Sequence, residues 1–477
     1  MSVTIGIDIA TAGVRTVAMR LQPNVQIVAQ ARASLPEPLR VEGGGVEQSP
    51  EYVSAVAGVM DELCAGMSDP VRQAVIALSV TATSGTVVPV DQSGHPVGHA
   101  LMYNDRRGGA LLDERGVGFS DGRPSDTLGR MALLARTYPN STPRTVADLV
   151  NSFLAGGPVF ADGSHWVKAG IESDTLSWPE EEVAALGIDG EMLPALGASG
   201  RVLSELAAPL ASRWGLPETT AVVSGMTDGC TSQIAAGAVT PGDSVGVLGT
   251  TLVLKAVSPV NIALPTMGVY SHRAPDGSYW PGGASNMGAG VFAHEFPDTS
   301  RDQLDERGLR ALHHGPASYL DYPLPGKGER FPLNAPLAQA FREGSPDSPD
   351  DHFRAVLESV GFVERLGLEV LGQAGVESRR HLLSGGGSQS SSWNQIRANI
   401  LDRPVYRAEF GDSSVGAAFL AGLVGTSEDG PVQLGALVSA GIVAEPDPAE
   451  VNRLDDRYQG FLAALSERCY LHGEGKP

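Results

Sequence analysis

The chain has 477 residues with 34 Lys and Arg against 55 Asp and Glu, a formal charge of -21 that argues against general binding to nucleic-acid phosphates. Its length suits two domains, and 42% hydrophobic residues with 59 glycines fit a globular α/β protein and not disorder, collagen or a coiled coil. No apolar run approaches the roughly 18 residues of a membrane helix, Met1 to Asp8 lacks the pattern of a secretion signal, and Cys64, Cys230 and Cys469 are too few and scattered for a disulfide framework. A reducing cytoplasm is expected, with neither membrane nor nucleic acid as partner.

Val3, Ile5 and Ile7 alternate along a strand, Ala10-Thr11-Ala12-Gly13 turn, and Val14 to Leu21 return, which makes a β-hairpin. Tyr52 to Met67 has helical spacing, and Val75 to Val80 reads as a strand with Ile76, Leu78 and Val80 on one face. Arg106 to Ser125, rich in Gly, Arg and Asp, reads as irregular surface chain. Leu133-Leu134 and Val146 to Leu154 are helical again, while Asp162 to Ala169 reads as a loop. Val222 to Cys230 is a strand that breaks at Gly225 and enters a helix of small residues. After a turn at Pro241-Gly242-Asp243, Val245 to Leu248, Gly249-Thr250-Thr251 and Leu252 to Val257 repeat the first hairpin. Asp321 to Asp350 is a Pro- and Gly-rich loop, Phe353 to Leu371 a long amphipathic helix, and Pro448 to His472 the last helix. Two equivalent hairpins imply two related α/β domains, 1–240 and 241–477, each an open sheet with helices on its faces.

Asp8 ends an apolar strand before a sharp turn of small residues. Either it starts an ordinary hairpin turn, or it holds Mg²⁺ while the turn's N–H groups and the Thr11 hydroxyl meet a phosphate. Leu248-Gly249-Thr250-Thr251 offers a second cradle of the same kind, with a plain glycine turn as its alternative. Asp228 either caps the helix that follows Gly225 or acts as base for a hydroxyl nucleophile, since phosphoryl transfer uses one carboxylate to take the substrate proton. Ser384-Gly385-Gly386-Gly387-Ser388 has the composition of a linker. It lies, however, between His381-Leu382-Leu383 and a helix containing Trp393, which favours a backbone platform for adenine or ribose. No Gly-Lys-Ser/Thr follows, so it is not a Walker loop.

In this order the four sites resemble the FGGY carbohydrate kinases, of the superfamily that includes hexokinase, actin and Hsp70. Gly45 to Glu51, Asp91 to Pro96, Tyr103-Asn104-Asp105-Arg106-Arg107, Thr240-Pro241-Gly242-Asp243 and Gly416-Ala417-Ala418 carry the likeness through most of the chain. Thr83-Ser84-Gly85-Thr86, Gly268 to His272, Gly282 to Asn286 and Tyr322 to Pro332 are similar to the cyanobacterial and plant-plastid group of sugar kinases, which includes a D-ribulose kinase. The resemblance implies two ribonuclease-H-like domains with mixed sheets flanked by helices and a ligand cleft between them. It implies ATP as donor, Mg²⁺ as cofactor and the terminal hydroxyl of a ketopentose as acceptor.

By the same resemblance Asp8, Ser84 and Asp228 contact the sugar, with Asp105 among the polar groups around it, Asp228 as base and Asp8 at the metal. Thr11, Gly249, Thr250 and Thr251 meet phosphate, and Gly386, Gly387, Ser390 and Trp393 form the nucleotide pocket. Ala10 stands where the family usually has Gly, Tyr103 where Trp is frequent, and Ser390 where the related kinase has Asn against adenine. Ala82-Thr83-Ser84-Gly85 replaces the Gln-Met-His-Gly of xylulokinases, which tilts the expected sugar towards D-ribulose. D-Xylulose, L-ribulose or a polyol are alternatives within the family; a sugar- or nucleotide-sensing protein without turnover is the alternative outside it. Monomer and homodimer both fit the sequence.

Overall fold

The computed structural model describes residues 2–119, 125–424 and 434–471. His472, the expected end of the last helix, and residues 120–124 of the expected loop lie outside the described residues.

Alternation of apolar residues makes the first strand, Val3–Ala10, with Val3, Ile5, Ile7 and Ile9 buried. It pairs antiparallel with Gly13–Arg20 in a register that sets Asp8 opposite Arg15. On its other side it pairs in parallel with Val75–Ala82. A parallel central strand is covered on both faces, and in Val75–Ala82 only Ile76 is less than fully buried. The full sheet runs Val202–Glu205, Ala221–Val223, Val75–Ala82, Val3–Ala10, Gly13–Arg20, Gln26–Ser34.

Two helices, Tyr52–Ala65 and Val146–Ala155, bring Val56, Met60, Leu63, Leu149 and Val150 into one core with Ile5, Ile7 and Val80. The second starts on a capping box, in which Thr145 Oγ1 accepts from Asp148 N and Asp148 accepts from Thr145 N. Gly6 faces away from Ile5 and Ile7 and meets a helix from far along the chain, Ser413–Ala421. A Cβ on Gly6 would lie 1.8 Å from Ser414 O and 2.5 Å from Ala418 N, so only glycine admits the helix backbone this close.

That contact corrects the expected division of the chain. Among the described residues, the first compact unit falls within Met1–Ala235, His272–Gly277 and Asp412–Leu437, and the second within Ala236–Ser271, Ser278–Gly411 and Val438–Pro477. A contiguous split at 240 leaves the Ser413–Ala421 helix on the wrong side, because its partner is the first strand.

In the second unit Asp243–Leu248 turns into Leu252–Ala256 and runs parallel to Arg380–Ser384, the same arrangement as around the first hairpin. Its sheet has the order Tyr270–Arg273, Tyr279–Ser285, Leu252–Ala256, Asp243–Leu248, Arg380–Ser384, Val405–Ala408, Ala440–Ala444. The long helix Pro349–Gln373 buries Phe353, Val356, Leu357, Val360 and Val363 against Leu254, Ile396 and Phe461. It also buries Glu364, whose carboxylate accepts from Arg397 Nε at 2.7 Å and faces His381 Nε2 at 3.0 Å. One acid thereby ties the helix to the strand Arg380–Ser384 and the helix Ser391–Leu401.

Two stretches expected as loop are helical. Arg107–Arg115 is a helix whose Leu111 and Leu112 pack on Leu128 and Met131 of the helix Asp126–Thr137; Gly108 and Gly109 hide it from propensity. Within 162–169, Gly163–Trp166 is a helical turn with every residue buried, followed by a 3₁₀ turn, Val167–Ala169. Among the described residues no helix is long and apolar enough to cross a membrane.

Candidate active site

In the first unit, the acidic residues meet where parallel strands end. Asp8 is level with Thr81, and a bridge joins Ala82 to Thr227, so Asp228 follows at the same end of the sheet. The turn into it is tight: a Cβ on Gly225 would lie 1.8 Å from Val80 O, and Thr81 Oγ1 donates to Met226 O at 2.7 Å. Thr227 O accepts from the N–H groups of Cys230 and Thr231, which makes Asp228 the first residue of the helix Asp228–Ala236 and not its N-cap. Asp228 Oδ1 accepts from Gly229 N at 2.7 Å, and the positive end of the helix favours its carboxylate.

Asp8 is 1% exposed. Arg15 Nη2 donates to its Oδ2 at 2.6 Å, and Arg15 Nη1 donates to Asp412 Oδ2, also at 2.6 Å. Asp412 is the N-cap of the Ser413–Ala421 helix. Burial drives the Asp8 carboxyl up to about 7, against the pull of Arg15 and with the added push of the Asp228 and Asp412 charges. Its Oδ1 is buried without a hydrogen-bond partner. A carboxyl raised by burial and by other acids, with one oxygen unused, fits a divalent cation held directly or through water. The residues present therefore suit Mg²⁺.

Ser84 follows the strand Val75–Ala82, and its hydroxyl is also buried without a partner. The next peptide is fixed by Arg130, whose Nε donates to Gly85 O at 2.9 Å and whose Nη1 reaches Asp105 O at 3.4 Å. The Asp105 carboxylate is engaged elsewhere: it accepts from Val46 N at 2.9 Å and from Arg107 Nη2 at 2.6 Å. Its observed work is to brace the loop around Arg130. Thr11 lies at the first hairpin's tip, where its carbonyl accepts from Gln48 Nε2 at 2.8 Å.

In the second unit, Gly386, Gly387, Ser390 and Trp393 come together and line one pocket of about 230 Å³ with Phe292, Leu304, Gly308, Phe353 and Leu357. The strand Arg380–Ser384 passes through Gly385 into a 3₁₀ turn, Gly386–Gln389, so the glycine run is a built turn and not a linker. Trp393 stands edge-on to Phe292 at 5.3 Å and donates from Nε1 to Leu357 O. Ser390 Oγ caps the Ser391–Leu401 helix by accepting from Trp393 N. Gly249, Thr250 and Thr251 form the neighbouring hairpin tip, whose carbonyls accept from Ala289 N at 2.8 Å and Gly290 N at 3.0 Å. Leu248, just before that tip, lies against Gly387.

The sequence reading missed Arg15, Asp412, Arg130 and the aromatic walls Phe292 and Phe353. Arg15 had a signal, since a two-residue turn after Ala10 fixes Asp8 opposite it. Asp412 had none.

Residues 245–424 match the model of the C-terminal domain of the FGGY family of carbohydrate kinases. The chain is 26% identical to a xylulose kinase of Escherichia coli K12, over 90% of this chain and 92% of that one. It is 25% identical to a xylulose kinase of Bacillus subtilis, over 88% of each. Among solved structures, a xylulose kinase from Rhodospirillum rubrum superposes with a TM-score of 0.84 at 24% identity over 98% of both chains. A gluconate kinase from Lactobacillus acidophilus gives 0.85 at 20% identity over 99% of both. At these identities the structures show a shared fold across the whole chain.

Proposed function

We propose that the chain catalyses ATP-dependent phosphorylation of a ketopentose at its terminal hydroxyl, with Asp228 as general base. The observation that carries this reading is that Asp8 and Asp228 lie at the same end of one sheet, on either side of the strand Val75–Ala82, with Asp8 Oδ1 and Ser84 Oγ both buried and unpartnered. Buried polar atoms without partners cost stability, roughly 1–3 kcal/mol each, and a hydroxylated ligand would supply what they lack.

In this reading Ser84 and Asp8 orient the sugar, and Asp228 accepts the hydroxyl proton as that oxygen attacks the γ-phosphorus. The bond from γ-phosphorus to the bridging oxygen breaks, and ADP leaves. Mg²⁺, with Asp8 as its holder, would screen the phosphate charge. Thr11 and the Gly249-Thr250-Thr251 tip would offer donors to phosphate oxygens. The pocket of Gly386, Gly387, Ser390 and Trp393 would take the base, flat against aromatic and glycine surfaces.

For the sugar, Ala82-Thr83-Ser84-Gly85 and the likeness to the plastid group favour D-ribulose, whereas the names of the relatives favour D-xylulose. Cys64, Cys230 and Cys469 are thiols and not disulfides, which suits a reducing cytoplasm. The test is an assay of purified protein with ATP and Mg²⁺ against D-ribulose, D-xylulose, L-ribulose, gluconate and polyols, beside Asp228→Asn. Phosphorylation of one ketopentose, lost by at least about a hundredfold in the variant, is expected. Full activity in Asp228→Asn would remove the base, and sugar binding without product would favour a sensor.

A further inference from the structure

The turn that presents Asp228 is held by a chain of contacts that starts at a fully buried histidine. Asp162 Oδ1 accepts from Ser164 N at 3.0 Å and from the Ser164 hydroxyl, while Ser199 Oγ donates to Oδ2 at 2.5 Å. His165 Nδ1 lies 3.2 Å from the same Asp162 Oδ1, and both side chains are fully buried. Ser164 Oγ in turn accepts from Thr227 N at 3.2 Å, the residue immediately before Asp228. His165, Asp162, Ser164 and Thr227 thus form one continuous path to the base.

The charges around the imidazole point the same way. Asp162 faces it from its own helical turn, Asp148 from the Val146–Ala155 helix and Asp228 from the Asp228–Ala236 helix; Arg144 is the cation beside Asp148. Asp148 Oδ1 and His165 Nε2 are both buried without hydrogen-bond partners. Burial opposes protonation of His165, but the bond to Asp162 and the three carboxylates outweigh it, and the net shift is upward. Burial meanwhile pushes the Asp148 carboxyl up, against the pull of His165 and Arg144.

We propose that His165 is a positioning residue for the base: as a buried imidazolium tied to Asp162, it fixes the turn before Asp228 through Ser164 and holds Asp228 deprotonated. This rests on the reading of Asp228 as base. A purely structural histidine would set the rate at every pH alike; a charged one sets where the acid limb falls.

The experiment measures kcat/KM for the preferred ketopentose from pH 5 to 9, at saturating ATP and Mg²⁺, for the wild type, His165→Gln and Asp162→Asn. Removing the cation raises the proton affinity of Asp228, so the acid limb of His165→Gln moves up by about 0.5–1 pH unit. On the acid side of the limb its kcat/KM falls roughly 3- to 10-fold, while well above the limb it stays within about twofold. Asp162→Asn keeps the cap and the Ser164 contact but removes the anion that holds the proton on His165, and it shifts the limb in the same direction. It also stands in if His165→Gln melts out. An unmoved limb in a folded variant, or a loss equal at all pH values, overturns the proposal. A wild type inactive on every sugar refutes the kinase reading instead, before any variant is compared.

Discussion

Ser84 presents a hydroxyl that the protein itself does not satisfy. If a sugar oxygen is its partner, Ser84→Ala removes one hydrogen bond, worth about 0.5–1.5 kcal/mol, and leaves no new buried polar atom behind. The ketopentose KM should rise about 2- to 12-fold while the ATP KM is unchanged. Steady-state kinetics in both substrates check this; an equal rise in both constants would place Ser84 outside the sugar site. At this scale the sequence was legible where chemistry and local pattern coincide. An acid closing an apolar strand marked Asp8, and a glycine break before an acid marked Asp228. It was silent where the partner is remote: Asp412 reaches Arg15 across 397 positions, and no local pattern encodes that. His165 was hidden because a four-residue helical turn has no period to read.

Among the elements, the Ser413–Ala421 helix depends on Gly6. Gly6→Ala sets a methyl against Ser414 O and Ala418 N, which are backbone atoms and have no rotamer to move. The helix must lift from the strand, at a cost of about 1–3 kcal/mol or more, and Asp412 moves with it. A lowered melting temperature together with weaker sugar phosphorylation is expected; a variant with wild-type stability would show that the helix is not seated as described. The second unit has an acid-sensitive joint. Burial works against the Glu364 charge, but Arg397 and His381 more than offset it and bring the carboxyl down to about 2 from 4.5. Its stabilisation is therefore complete above pH 4.5 and is lost as pH falls from 4.5 through 2, on the order of 3 kcal/mol. Glu364→Gln leaves Arg397 buried without its charge partner and should cost about 3–5 kcal/mol at pH 7. Its melting temperature should also depend less on pH between 4.5 and 2 than the wild type's, and parallel curves would refute the assignment. The strands and long helices were readable because their apolar periods are clean. The Arg107–Arg115 helix was not, since its adjacent glycines look like loop until Gly108 is seen beside Gly129 in the helix that follows.

At the scale of the whole molecule, the features proposed to hold ligands divide between the two units. The unpartnered Asp8 Oδ1 and Ser84 Oγ belong to the first and the 230 Å³ pocket to the second. Hydrogen exchange should separate them. A non-hydrolysable ATP analogue alone should slow exchange at 248–252 and 385–393, and the ketopentose alone at 82–86 and 226–229, since each ligand stabilises the state it binds. The opposite pattern would exchange the roles of the two units. The repeat of hairpins announced two units from sequence, but not where their borders run, because a border is set by which strand a helix covers.

That interleaved border also governs how the protein is made. As the ribosome delivers the chain from its N-terminus, the first strand and Arg15 emerge early, whereas Asp412 and the helix that covers Gly6 come only after most of the second unit has been translated. A nascent chain halted anywhere before residue 412 lacks one of the two carboxylates that hold Arg15, and its Gly6 face has no cover. The half that would carry the base is thus finished nearly last.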